Sequence, residues 1–154
     1  MSFSALLVGL AMGAKCRVEA VEISLTELNE LGSVGFPGLL GIEFEMPGEG
    51  LMRGRLAIEE KHMAPNGYLH AGTVVGFADS GAGYGCILNL PDGATGFTTI
   101  ELKTNFLGSA REGTIECEAR MVHGGRTTQL WDATVTDAVG KTLALFRCTQ
   151  LVLR

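Results

Sequence analysis

From His70 to Leu88 the chain reads HAGTVVGFADSGAGYGCIL, and this stretch limits the possible folds more than any other. Its apolar positions Val74, Val75, Phe77, Ala78, Ala82, Tyr84 and Ile87 suit a helix better than strict alternation. Glycines at positions 72, 76, 81, 83 and 85 each cost a helix roughly 1 kcal/mol relative to alanine. A helix that tolerates them is expected to have another backbone lying close against it. One carboxylate, Asp79, stands in the middle of this apolar run. Burying it is expensive, so either it faces water or a site uses it.

The remainder of the chain is β-rich, with short helical and turn signals. Ser24 and Glu27 are spaced as a capping box for a helix from Ser24 to Leu31, with Gly32 as its stop. FPGLLG follows as a Pro/Gly turn or loop. Two strands, Leu40–Met46 and Leu51–Glu59, are joined by the turn residues Pro47–Gly50. After the long helix, NLPDGATG provides the break. TGFTTIELKTNFLGSA then sets Ile100, Leu102, Thr104 and Phe106 on one face and Thr99, Glu101, Lys103 and Asn105 on the other. GTIECEARMVHGG alternates in the same way, and RTTQLWDATVTDAVGKTLALFRCTQLVL forms two strands around a turn at Val139–Gly140. The predicted order is a β-hairpin, one helix, then four antiparallel strands. A meander of that size needs a cover for its apolar face, and the glycine-rich helix is the one available.

The chain's 154 residues suit a single core; 46% are hydrophobic and 19% charged, an ordinary globular balance. A net charge of -5 gives no general electrostatic reason to hold nucleic acid. Cys16, Cys86, Cys117 and Cys148 are widely spaced without a CxxC pair, as reduced thiols of a cytoplasmic protein would be. His62 and His70 with a cysteine make no recognisable ligand set, so no metal is expected. The early run FSALLVGLAMGAKC has no Lys or Arg before it and is too short to span a bilayer. It reads as an extra helix, a frayed arm or a stretch ahead of a later start at Met12, and no membrane association is expected. Residues 1–38 are taken as an N-terminal arm with its short helix, and residues 39–154 as the main body of one globular domain.

Three blocks carry a family resemblance: HMAPNGYLHAGTVVGFADSGAGYG, TIELKTNFLGSAREG and GGRTTQLWDATVTDAVGKTLALFRCTQLVL. Together, over about residues 39–153, they resemble the hotdog-fold acyl-CoA thioesterases of the phenylacetyl-CoA and 4-hydroxybenzoyl-CoA type. The resemblance implies an α+β hotdog fold, a curved antiparallel sheet wrapped around one helix. It also implies a homodimer or homotetramer with active sites across the dimer interface, a small-molecule acyl-CoA substrate, small aromatic or medium-chain, hydrolysed to free acid and CoA, and no cofactor beyond the CoA of that substrate.

The family pattern assigns roles residue by residue. The backbone N–H groups of Ala71 and Gly72, at the start of the helix, would stabilise the oxyanion of thioester hydrolysis. Ala71 stands where the family carries glycine; the donor survives that change, although Cβ comes near the thioester. Asp79 falls at the catalytic carboxylate, acting as general base on water or as the nucleophile itself. His70 would orient the entry loop or the acyl carbonyl, or simply pack. Ser80 would contact substrate or bond its own helix backbone. Arg126, Thr127 and Thr128 match the family's CoA-phosphate contacts, where a guanidinium suits phosphate; a solvated turn is the alternative. Arg111 and Lys103 are weaker candidates for the same task, and His62 reads as loop structure.

Two departures stand out. Ala64 replaces the usual Asn or Gln ahead of the helix, which Asn66 could replace if the loop path shifts, and Gly83 replaces a Thr that some members carry. A hydratase or dehydratase would want a fuller HFPxxPxxPG-like motif than HMAPNGYLHAG offers. A non-catalytic acyl-CoA binder would have no need of Asp79. Pocket depth would depend on Phe36, Leu39, Tyr68, Phe77 and Phe97.

Overall fold

The computed structural model describes residues 24–154, so Cys16 and the apolar N-terminal run lie outside the described residues. Ser24 is the N-cap of helix α1 (Leu25–Gly32). Its hydroxyl accepts the Glu27 N–H at 3.2 Å while the Glu27 carboxylate accepts the Ser24 N–H at 2.9 Å, the reciprocal box read from the sequence. The next segment corrects an expectation: FPGLLG is not a loop but part of a short helix, α2 (Gly35–Leu40). Pro37 lies in the first turn, where a missing N–H breaks no helical bond. Gly41 ends α2 at φ +69°, a left-handed conformation that glycine adopts without strain.

Strands β1 (Glu43–Gly48) and β2 (Leu51–Ala57) form the predicted hairpin, and a short 3-10 turn (Glu60–His62) leads to the long helix α3 (Ala71–Leu88). Strands β3 (Gly96–Phe106), β4 (Thr114–Gly124), β5 (Thr128–Asp137) and β6 (Thr142–Leu153) follow. All six strands make one antiparallel sheet in the order β1-β2-β4-β5-β6-β3. Helix α3 packs on one face of it, touching β2, β3, β4, β5 and β6. This is the α+β hotdog architecture. Among the described residues no helix is long and apolar enough to cross a membrane.

Inward residues of alternate strand positions fill the space beneath α3. Met52, Leu56, Ile115, Ala119, Trp131, Val135, Ala144 and Cys148 are all fully buried with Phe77, Ala78, Ala82 and Cys86 of the helix. Leu28 of α1 and Leu40 of α2 join the same core. The outer face carries cross-strand ion pairs, Arg53–Glu118–Arg120, Arg55–Glu43 and Arg147–Asp132, solvated enough to add little each.

What lies close to the helical glycines corrects the expectation of a second backbone: Gly76, Gly83 and Gly85 each face an aromatic side chain, and only some of these belong to the sheet. A Cβ on Gly85 would stand 2.6 Å from two ring atoms of Trp131, and one on Gly83 would be 3.2 Å from Phe97. Gly76 instead lies beneath the Phe36 ring of α2, so a helix covers it. Trp131 cannot retreat easily, because it is fully buried and its indole N–H donates to Gln129 Oε1 at 2.9 Å.

The predicted faces of β3 need a second correction. The register against β6 slips between Thr99 and Glu101. Phe97 and Thr99 therefore share the inward face with Leu102, Thr104 and Phe106, opposite Val152, Gln150, Cys148, Phe146 and Ala144. Ile100 falls out of the alternation and is 55% exposed. A bulge of this kind inserts one residue without any mark in the hydrophobic pattern.

The glycine contacts predict opposite outcomes at two sites. Gly85→Ala should destabilise the fold by about 1–3 kcal/mol through overlap with Trp131. Gly81→Ala meets only ordinary contacts, with Cys117 Sγ at 3.4 Å, and should be neutral or stabilising by up to about 1 kcal/mol. Urea unfolding of both variants decides it; equal midpoints would refute the packing account.

Candidate active site

His70 is the N-cap of α3, and its side chain does the capping: Nδ1 accepts the Gly72 N–H at 2.8 Å. The His70 carbonyl takes the N–H groups of Thr73 at 3.0 Å and Val74 at 3.4 Å. A helix start leaves its leading donors without internal partners. Here the Gly72 N–H is held by the imidazole, and the Ala71 N–H is left as the first-turn donor without a protein acceptor among the described residues. Because Nδ1 accepts, the neutral ring carries its hydrogen on Nε2. The preceding loop is tied to the same turn, with His62 O accepting from His70 N–H and from the Thr73 hydroxyl, each at 3.0 Å.

Ala71 opens onto a cleft of about 540 Å³. Asn66, Tyr68, His70, Val74 and Phe106 line it, together with Ala64. Asn66 Oδ1 accepts the Tyr68 N–H at 3.2 Å, so its amide shapes the loop. The Arg111 guanidinium lies 4.2 Å above the Tyr68 ring, a cation–π contact on the rim.

Asp79 lies outside this cleft lining. It is half-buried on the helix face toward β3, and Thr99 Oγ1 stands 3.3 Å from its Oδ1. Burial raises the Asp79 pKa above the ordinary carboxylate value, and the Thr99 hydroxyl opposes that rise. Eight residues separate Ala71 from Asp79, about 12 Å along a helix axis. Ser80 directs its hydroxyl at its own helix, donating to Gly76 O at 2.6 Å. Burial pushes the thiols of Cys86, Cys117 and Cys148 up to about 12, which makes them inert packing groups at neutral pH.

Arg126 and Thr127 are exposed on the bend before β5, and the strand itself begins at Thr128. The next residue, Gln129, pairs with Gln150 of β6, which in turn pairs with Thr99 of β3. The bend is thus at the Asp79–Thr99 end of the sheet, away from the cleft at the start of α3. The structure accordingly groups the candidates in two sets: Asn66, His70 and Ala71 around the cleft, and Asp79 with Thr99 farther along α3. Lys103 is exposed on β3, across from Arg147 on the outward side.

Thr99 opens the block TIELKTNFLGSAREG, but no sequence motif gives a site role to it or to Gln150. The bulge hides Thr99. Gln150 did leave a signal, as a polar residue in the inward series Ala144, Phe146, Cys148, Gln150, Val152.

With this geometry in place, the comparisons with known proteins are decisive for the family. Residues 66–144 match the family model of the thioesterase superfamily. The chain belongs to that superfamily. It is a thioester hydrolase by family. It is 32% identical to a 1,4-dihydroxy-2-naphthoyl-CoA hydrolase of Listeria monocytogenes, over 77% of this chain and 96% of the relative. An Escherichia coli protein of the same name is 30% identical over 86% of this chain and 96% of its own length. Among solved structures, a mutant thioesterase from Pseudomonas aeruginosa aligns with TM-score 0.81 at 29% identity, covering 86% of this chain and 95% of that one. A thioesterase from Haemophilus influenzae aligns with TM-score 0.82 at 26% identity, covering 88% and 94%.

The loop that leads into the cleft rests on a buried histidine. His62 is 1% exposed and its Nδ1 accepts the Glu59 N–H at 2.9 Å, a bond that protonation would break. Burial, then nearby Lys61, lowers its pKa. The unfolded chain therefore takes up this proton first, and stability falls as pH drops from about 6.5 through the folded value. Unfolding free energy should decline from pH 7 to pH 5 more steeply in the wild type than in His62→Asn. Parallel slopes in chemical denaturation would remove His62 as the cause.

Proposed function

We propose that the protein hydrolyses an aromatic acyl-CoA thioester to free acid and CoA, in sites completed by a second copy of the chain. One observation carries this reading. The free Ala71 donor and the Asp79 carboxylate stand about 12 Å apart on one helix, whereas a single reacting carbonyl needs both within about 3 Å. A donor from one copy and a carboxylate from the other removes the conflict.

The sheet edges support such pairing. β1 is covered on its outer side by Asn29 of α1, whose side chain accepts the Phe44 N–H at 2.7 Å and donates to Phe44 O at 3.0 Å. β3 forms the opposite edge over eleven residues, with Ile100, Leu102 and Phe106 more than 40% exposed. A long apolar edge of this kind is a pairing surface. A dimer formed there, alone or within a tetramer, brings two copies of α3 into range of one another.

In this reading the Ala71 N–H, at the positive end of α3, holds the carbonyl oxygen as it gains charge. Asp79 takes the proton of an attacking water and passes it to the sulfur as the C–S bond breaks and CoA leaves as its thiol. Alternatively it attacks the carbonyl carbon itself: the C–S bond breaks, the thiolate takes a proton from water, and a water then hydrolyses the mixed anhydride to free the acid and Asp79. The aromatic acyl group is supported by the apolar cleft with Tyr68 and Phe106, and by the naphthoyl-CoA hydrolases among the relatives. Arg126, with Thr127 and Thr128, suits the CoA phosphates at the Asp79 end. The free buried thiols fit a reducing, cytoplasmic setting.

Thiol release from aromatic and straight-chain acyl-CoAs tests the activity, and Asp79→Asn should lower kcat about a thousandfold while acyl-CoA still binds. Wild-type binding without release would replace hydrolysis with a binding role, with Ala64 as the suspect position. Ala71→Pro tests the shared site. Proline suits the first helical position and removes only the N–H, and His70 before it is already extended at ψ 135°. Each variant alone should be nearly inactive. A refolded equal mixture should recover about a quarter of wild-type activity, since half the dimers are mixed and each restores one of two sites. No recovery would argue for sites within single chains.

A further inference from the structure

Asp79 meets the sheet through a chain of four groups. Thr99 Oγ1 lies 3.3 Å from Asp79 Oδ1 and 2.9 Å from Gln150 Oε1, and Gln150 Nε2 lies 3.2 Å from Cys148 Sγ. Gln150 and Cys148 are fully buried. One hydroxyl has one hydrogen, so Thr99 cannot donate to both oxygens. The shorter arm runs to Gln150, which leaves Thr99 facing Asp79 with a lone pair. That arrangement is complete when Asp79 is protonated: Asp79 O–H donates to Thr99, Thr99 to Gln150 Oε1, and Gln150 Nε2 to the Cys148 sulfur.

A carboxamide keeps its shape when its oxygen and nitrogen exchange places. In the exchanged form the Cys148 S–H donates to Gln150 Oε1, Gln150 Nε2 donates to Thr99 Oγ1, and the Thr99 hydrogen is free for the Asp79 carboxylate. Every group is again satisfied, now around an anion. The Cys148 thiol can end the chain in either sense, because burial keeps its hydrogen on sulfur at neutral pH.

We infer that Thr99, oriented by the buried Gln150 amide, is the positioning residue of Asp79, in a hydrogen-bond chain that reverses direction as the carboxylate loses its charge. This rests on the proposed role of Asp79 as the base, which starts the reaction ionised and loses that charge on taking a proton. An unpartnered carboxylate in this half-buried place would be costly in one state or the other; a reversible chain serves both.

The other groups around α3 leave Asp79 to this chain. From β6 the facing titratable group is Cys148, and on α3 itself it is Cys86; both are neutral thiols. Glu101 of β3 acts on Cys148, and Cys117 of β4 lies under Gly81. The charged residues Arg53 and Arg55 of β2 and Asp132 of β5 are paired on the outer face, and α2 has no titratable residue.

The test is the pH profile of kcat/KM with an aromatic acyl-CoA, for wild type, Thr99→Val, Thr99→Ser and Gln150→Met. A hydroxyl donor favours the carboxylate anion, so removing it raises the pKa. The acid limb should move to higher pH in Thr99→Val, with about a tenfold loss of kcat/KM on that limb. Thr99→Ser should restore the wild-type limb, and Gln150→Met should move it the same way as Thr99→Val. A merely structural role would lower stability and leave the limb in place. An unmoved limb in Thr99→Val or in Gln150→Met overturns the inference. Titration of Asp79 by its carboxyl carbon resonance, with and without Thr99→Val, measures the same shift without turnover. If Asp79→Asn keeps the wild-type rate, the proposed role of Asp79 fails; if it collapses while the Thr99→Val titration stays put, only this inference fails.

Discussion

How closely α3 can approach the sheet governs most of what this molecule does. Among the described residues α3 is the one long helix over the covered face of the six strands, with α1 and α2 adding Leu28 and Leu40 to the core, and that core closes only if α3 and the sheet nearly touch. Gly85 beneath the Trp131 ring and Gly83 beneath Phe97 set that separation. The indole is itself fastened, since Gln129 takes its N–H and donates in turn to Asn89 O at the end of the helix, at 2.6 Å. Helix, tryptophan and strand thus share one polar tether inside an apolar core. This packing holds the half-buried Asp79 against β3, where its own energetics would not place it.

The same helix supplies two kinds of electrostatics at different places. At its start, backbone groups and the His70 ring are arranged so that one donor remains for an external acceptor. Two turns on, burial disfavours charge on Asp79 and a hydroxyl partly compensates. Neither feature requires an added ion, and each depends on the chain entering α3 along one path. That path is secured by the backbone bonds of Ala64, Leu69 and His70 and by the buried His62.

Much of this arrangement is legible in the sequence, for physical reasons. Periods of 3.6 and 2 separate α3 from β4, β5 and β6, and the capping box marks α1. The glycines announce a close neighbour, although at Gly76, Gly83 and Gly85 that neighbour is an aromatic ring and not the second backbone expected. The losses have causes too. FPGLLG carries turn residues, yet burial of Leu40 and the cover over Gly76 draw it into helix α2. Strand alternation assumes an unbroken register, and one extra residue near Ile100 carries Thr99 to the inward face. Motif spacing puts Asn66, His70 and Ala71 near the start of α3, but the cleft beside them does not follow from it. The partners of Asp79 depend on register between strands fifty residues apart in the chain, which local patterns do not encode.

The two rims of the sheet are unequal, and this bears on how the molecule can aggregate. β1 ends in an irregular register against β2 and has Asn29 bonded along its rim. Among the described residues β3 has no such cover. A sheet open at both rims could add copies indefinitely, head to tail, into a fibre. With one rim covered, a copy docking antiparallel along β3, as the proposed dimer requires, would use up the remaining free strand of each molecule, and sheet growth would stop at two. In the proposed dimer Asn29, remote from the proposed chemistry, would thereby act as a terminator of sheet growth, because its side chain occupies the Phe44 backbone groups on the β1 rim.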